Sequence, residues 1–203
     1  MALDPEKLTY QEKFDHLLKV LASRRFLDKE GLGNEVPFFI CHYLPQDQLG
    51  TDRKRQQLKN RLAQQGVTVL DINLYDLVVE ILQKRGSWQK ILDNEPNISK
   101  EQLKELLQGM LDTEKYLIPT ICEKMADQAF DVMFISGVGE VFPYIRSHNV
   151  LNNLQSKAKE HPTLMFFPGK YTHTLEDGAS LDLFGRLHDD KYYRAFDIFN
   201  YEV

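Results

Sequence analysis

Long apolar runs are missing from this chain of 203 residues. The densest stretches, VPFFIC at residues 36–41 and YLIPTIC at residues 116–122, fall far short of the roughly 20 residues that a membrane-spanning helix needs, so no span is predicted. A secretory leader is also lacking. The opening MALDPEKLTYQEKF is polar and acidic where a leader requires a basic start, an apolar stretch and a small-residue cleavage site, and the expectation is cytoplasmic residence with no membrane partner. Cysteine is scarce: Cys41 and Cys122 stand far apart among apolar neighbours, without the paired spacing of a zinc or redox motif. Both read as small buried hydrophobes. Positive charge is in deficit, with 25 Lys and Arg against 30 Asp and Glu, a net charge of -5 and a pI near 5.7. That balance excludes a surface that is a nucleic-acid footprint throughout, though not a local basic patch. Internal repeats and low-complexity segments are absent.

What remains is an ordinary globular composition, 42% hydrophobic and 27% charged, long enough for one sizeable core, and a single domain over residues 1–203 is expected. Thr9 and Glu12 have capping-box spacing ahead of Phe14, Leu17, Leu18 and Leu21, which recur at helical intervals and predict an N-terminal helix ending near the glycines at residues 31–33. FFICHY at residues 38–43 is too short for a helix and suits a buried strand. Thr51 or Asp52 can cap a polar helix over residues 53–65, closed by Gly66; a second strand follows at residues 67–72. Asn73 caps a helix whose stripe is Leu74, Leu77, Val78, Ile81 and Leu82, stopped by Gly86. Residues 87–128 give only helical signals: a segment around Trp88, a helix opened by Ser99, and one with Pro119 in its first turn. Strands at residues 131–137 and 163–169 flank a helix over residues 143–158, and the C-terminal part offers turn signals at residues 176–179, a short LDLF strand and an aromatic run, YYRAFDIF. Alternating strands and helices predict an α/β fold: a mostly parallel central sheet with helices on both faces and a helical insertion at about residues 87–128.

In such sheets ligands lie beyond the carboxyl ends of the strands, which directs attention to His42, Asp71, Asn73, residues 136–140, Pro168 and Gly169. The loop after the first strand, LPQDQLGTDRKR, holds a single glycine and no Gly-Lys-Ser/Thr, and VMFIS ends without an aspartate for magnesium; the order therefore resembles a degenerate AAA or P-loop NTPase-like scaffold without Walker motifs. GVGE at residues 137–140 lacks the third glycine of a dinucleotide loop, and Glu140 would repel an anion; a tight structural turn is the favoured reading. Arg146, His148, Asn149, Asn152 and Asn153 make one helix unusually polar, favoured as a helix side bonding to neighbouring backbone over catalysis. Arg186, Asp189, Asp190 and Arg194 form a charged loop, read as an ion-pair network or interface, since no further oxygen ligands are spaced for a metal. Arg55 and Lys59 align at four residues' spacing as a candidate basic patch, with a solvated face favoured over phosphate contact. No catalytic triad, metal site or cofactor is predicted.

The same residues carry a family resemblance. VTVLDINLYDLVVEIL, FISGVGEVFPYIRSHNVLNNLQ, LMFFPGKY and LFGRLHDDKYYRAF, in this order, resemble the BrxB family of bacteriophage-exclusion (BREX) systems, over roughly residues 38–199. The resemblance implies a role in phage defence beside a methyltransferase (PglX), a phosphatase-superfamily protein (PglZ) and a large ATPase (BrxC), with no enzymatic activity of its own. Together the readings predict a non-catalytic adaptor that binds PglZ or BrxC and supports host methylation, phage exclusion or both. Its candidate surface is Glu140, Arg146, His148, Asn152, Asn153 and the 186–194 loop. The alternative is a nucleotide- or nucleic-acid-binding regulatory subunit, and direct DNA contact is the less favoured of the two.

Overall fold

Apolar residues alternate along the strands, and this period of two sorts the core into two layers on either side of one sheet. The computed structural model describes residues 8–30, 36–174, 178–185, 187–188 and 195–203. In chain order its elements are α1 (Tyr10–Leu21), α2 (Arg24–Leu27), β1 (Phe38–Tyr43), α3 (Gln48–Gln64), β2 (Val69–Asn73), α4 (Leu74–Lys84), α5 (Trp88–Asn94), α6 (Lys100–Met110), α7 (Ile118–Asp127), β3 (Val132–Ser136), α8 (Ser147–Leu154), β4 (Thr163–Thr174), β5 (Gly178–Leu183), β6 (Leu187–His188) and β7 (Phe196–Asp197). Five strands run parallel in the order β2-β3-β4-β1-β7. From Gly169 onward β4 leaves that sheet and pairs antiparallel with β5, which pairs with β6.

Phe38 and Ile40 of β1, Ile72 of β2, Ile135 of β3 and Met165 and Phe167 of β4 face α4, α5, α7 and α8, with α6 packed at the margin through Leu103, Leu107 and Met110. Phe39, Cys41, Phe134, Leu164 and Phe166 face α1, α2, α3 and the C-terminal Ile198 and Phe199. Helices therefore cover both faces. Every residue of β3 is buried, as a strand covered twice requires. Cys41 is buried, and the apolar surroundings push its thiol up to about 12, so it stays protonated and packs as a hydrophobe. Cys122 is half-buried against the same core.

The capping box at Thr9, the Asn73 cap, the box opened by Ser99 and the Pro119 turn all form where the sequence places them. Four boundaries differ. The N-terminal helix stops at Leu21 because Ser23 starts a new turn, accepting from Phe26 N at 3.2 Å and donating to Val20 O at 2.7 Å; the glycines at 31–33 lie outside the described residues. Helix α3 begins a turn early, at Gln48, because Pro45 opens a 3-10 turn that feeds directly into it. Gly50 then sits inside the helix, where a Cβ would stand 2.8 Å from the Tyr10 hydroxyl. The helix expected over 143–158 is only Ser147–Leu154, since successive turns closed by Glu140 N to Gly137 O and Ile145 N to Val141 O occupy the preceding residues. Finally, β4 runs five residues past the expected end because its outer half has β5 as a partner. The turn expected at 176–179 lies largely outside the described residues.

Candidate interaction surface at the carboxyl ends of the strands

The chain leaves β1 toward β2 on one side, whereas β4 leads through its hairpin to β7 on the other, so the topological switch point lies between β1 and β4. A crevice is expected outside these two carboxyl ends. Tyr43 of β1 is in register with Pro168 of β4 at that point. The turn after β5 folds back onto it: Phe184 N donates to Pro168 O at 2.8 Å. A Cβ on Gly139 would lie 3.0 Å from both the Phe184 ring and Pro168, so the lack of a side chain there lets the GVGE turn sit close under that ring. Phe142 meets Phe184 edge-on with centroids 6.4 Å apart. Phe184 is nevertheless 38% exposed, and its backbone is left-handed at φ 56°, a conformation that costs a bulky residue about 1–3 kcal/mol.

Gly137 has φ 76°, and a Cβ there would stand 2.6 Å from the Asn73 side-chain oxygen. That oxygen accepts from Tyr75 N at 2.8 Å and Asp76 N at 3.1 Å, so the turn after β3 is built against the cap of α4. A tight structural turn is what the glycines make. At the carboxyl ends of the other strands, Leu44 after β1, Leu49 in the first turn of α3 and Tyr75 in the first turn of α4 are all exposed. Asp52 and Asp76 lie close enough to act on Glu140: partial burial and then these two charges raise its carboxyl above the usual value, against an opposing pull from Arg55. The Tyr144 hydroxyl donates to the Glu140 carbonyl at 3.4 Å, and Glu140 and Tyr75 in turn help burial push the Tyr144 phenol up to about 12.

The raised Glu140 carboxyl has a checkable consequence. Its ionisation weakens the folded state as pH rises through the raised value, so Glu140→Gln should stabilise the protein at pH 7. Solvent exposure limits the gain to less than about 1 kcal/mol. The gain should vanish below the ordinary glutamate value of 4.5. Urea midpoints of both proteins at pH 7 and pH 4 measure it, and an equal or lower midpoint for the variant at pH 7 would contradict the assignment.

The other residues singled out in the sequence are dispersed. Arg146 is the cap residue of α8 and His148 lies in its first turn, both half-buried. Asn153 donates to Asn149 O at 2.8 Å within the helix, and exposed Asn152 accepts from Gln155 at 3.4 Å, which is the backbone-and-neighbour bonding expected of a polar helix side. Arg186, Asp189, Asp190 and Arg194 lie outside the described residues. Among the described residues no group of three or more His, Cys, Asp or Glu is arranged to hold a metal.

Arg55 and Lys59 do not form a solvated face. Arg55 is only 8% exposed and its guanidinium donates to one Asp71 oxygen, while Lys59 reaches the other at 3.0 Å. Asp71 thus ties α3 to β2, and both cations are held by it. An adjoining cleft of about 200 Å3 reaches from Arg55 and Asp71 to Asp76, Glu80 and Lys124. Its other cation is also paired, Lys124 lying 2.7 Å from Glu80. Sequence reading placed Asp71 at a strand end but did not join it to Arg55 and Lys59. It also passed over Leu49 and Phe184. Tyr75 had a signal, since it stands off the apolar stripe of its helix.

These features define an α/β protein with helices on both faces of its sheet, in which the Phe184 turn lies over the carboxyl ends of β3 and β4 while a cavity lined by His42, Tyr43, Leu44 and Phe199 stays open at the carboxyl end of β1. No solved structure significantly matches it. The family model described as "BREX protein BrxB" matches residues 70–198. A "BREX protein BrxB" from Bacillus cereus (strain H3081.97) is 34% identical over 191 residues, 92% of this chain and 96% of the relative. Another of that name, from Escherichia coli O9:H4 (strain HS), is 30% identical over 172 residues, 85% of this chain and 82% of the relative. The chain belongs to the BrxB family and is a component of a BREX system. No described helix is long and apolar enough to cross a membrane.

Proposed function

We propose that the protein is a non-catalytic adaptor of a BREX anti-phage system, acting in the cytoplasm to join PglZ, or else BrxC, to the remaining components. In this role it supports host DNA methylation, phage exclusion or both. The observation that carries the reading is the apolar surface exposed at the carboxyl ends of the strands. At the carboxyl ends of β3 and β4, Phe184 lies on Gly139 and Pro168 and turns apolar surface outward. Exposed apolar groups at a functional end of a fold favour a protein partner over a small molecule. The held state of Arg55 and Lys59 points the same way, because neither cation is available to a phosphate without breaking its bond to Asp71.

Affinity-tagged protein, purified from cells expressing the whole BREX system at native stoichiometry, tests this. PglZ should co-purify, with BrxC as the alternative. If both are soluble in the same cells and neither is captured, the adaptor reading fails.

A further inference from the structure

Eight large apolar side chains are left exposed among the described residues, and four of them, Leu44, Leu49, Tyr75 and Phe184, belong to the carboxyl-end rim just described. The clustering is more than scatter. Tyr43, which precedes Leu44, is paired with Pro168, and Pro168 carries Phe184. Tyr75 acts on Tyr144, which bonds Glu140 at the tip of the same turn that holds Gly139. Patches of this kind on a folded protein mark places where another surface sits.

Among the described residues the charge around the patch is predominantly negative. Asp47 and Asp52 flank Leu49, Asp76 follows Tyr75, and Glu140 follows Gly139 beneath Phe184. Asp52 and Asp76 are both close enough to act on Glu140 electrostatically. Arg55, the cation that acts on Glu140, is buried and held by Asp71. Exposed Arg53, one turn after Leu49 on α3, offsets one of these carboxylates, while Lys54 lies over the Phe14 ring at 4.7 Å. An apolar surface with a net negative rim repels phosphate and complements an apolar surface that carries cations.

We propose that this rim docks a polypeptide segment of another BREX protein in which one or two apolar anchors are flanked by Lys or Arg. The anchors lie against Leu44, Leu49, Tyr75 and Phe184, and the cations meet Asp52, Asp76 and Glu140. The left-handed Phe184 fits this role, because a strained backbone that holds an aromatic ring half out of the core is retained only where the surroundings enforce it. The inference rests on the adaptor reading and adds to it the surface and the partner's chemistry.

The test compares capture of BREX proteins by the full chain with capture by three variants: Asp76→Lys/Glu140→Lys, Leu49→Asp/Tyr75→Ala, and, as a control on a different exposed apolar position, Leu106→Asp. All the substituted side chains are exposed, and urea midpoints confirm that each variant is folded. Charge reversal and apolar removal should each weaken capture of the partner at least about tenfold, the control should not, and the charge-reversal effect should shrink above about 0.5 M salt, where screening is short-ranged. Crosslinks from rim carboxylates should fall on Lys residues of one partner segment. If the wild type captures no BREX protein, the adaptor reading itself fails. Capture by the wild type with undiminished capture by both rim variants leaves that reading standing and overturns this surface. Loss on apolar removal with unchanged or tighter capture on charge reversal overturns the cationic partner. Salt-sensitive binding of duplex DNA that is abolished by the apolar variant would overturn the choice of a polypeptide.

Discussion

Asp71→Ala is expected to lower the unfolding free energy by about 3 kcal/mol, the low end of the range for removing one partner of a buried ion pair. Asp71 is 12% exposed and takes Arg55 on one oxygen and Lys59 on the other. Arg55 is the critical side. Its side chain is 9% exposed, and its Nε already lies buried without a hydrogen bond. Without the aspartate, a guanidinium would be left in the interface between α3 and β2, where the other carboxylate paired with it is Asp52 at 3.9 Å. That second carboxylate is why the low end applies. Lys59 is 34% exposed and turns to water at little cost.

The paired replacement Arg55→Met/Asp71→Leu removes both charges with similar volume and should recover most of the loss, because it is the uncompensated charge and not the missing attraction that destabilises. Urea unfolding of the two variants and the wild type measures this. A loss of less than about 1 kcal/mol for Asp71→Ala would mean that Arg55 can leave its place freely. It would then be available to a phosphate, which would revive the nucleotide-binding alternative.

This pair shows where a linear reading stops. The elements were legible because their signals are local: the Thr9 and Ser99 capping boxes, the Asn73 cap, Gly66 in its left-handed position after α3, and the doubly apolar β3. The four-residue alignment of Arg55 with Lys59 was also legible. What faces them was not, since Asp71 arrives from the next strand and only the packing of α3 on β2 brings it there. The start of α3 was misplaced for a similar reason. Gly50 reads as a loop residue until Tyr10, from a different helix, occupies the space its side chain would need. The rim is a third case. Leu44 and Leu49 follow β1, Tyr75 follows β2 and Phe184 follows β5, and nothing in their spacing joins them before the sheet brings those ends together.

The second large effect concerns how the two ends of the chain are fixed on the central strand. Phe39→Ala should cost about 3–5 kcal/mol, the range for truncating a buried phenylalanine. The Phe39 ring is 1% exposed and lies 4.8 Å from Phe26 of α2, 5.9 Å from Phe196 of β7 and 5.5 Å, edge-on, from Tyr201. The Tyr201 hydroxyl in turn donates to the carbonyls of Arg25 and Glu30, both at 3.1 Å. One ring thus holds the N-terminal helices and the C-terminal segment on the same face of β1. That strand is also the only described neighbour of β7 in the sheet, and it separates β7 from β4. The family match over residues 70–198 begins after β1, so the matched region lacks the strand that joins its own β4 and β7. Phe39→Leu, which keeps most of the volume, should lose less than about 1.5 kcal/mol. Guanidinium midpoints order the three proteins. A Phe39→Ala loss no larger than that of Phe39→Leu would show that β1 holds the chain ends by its backbone pairing alone, and that the aromatic cluster adds little.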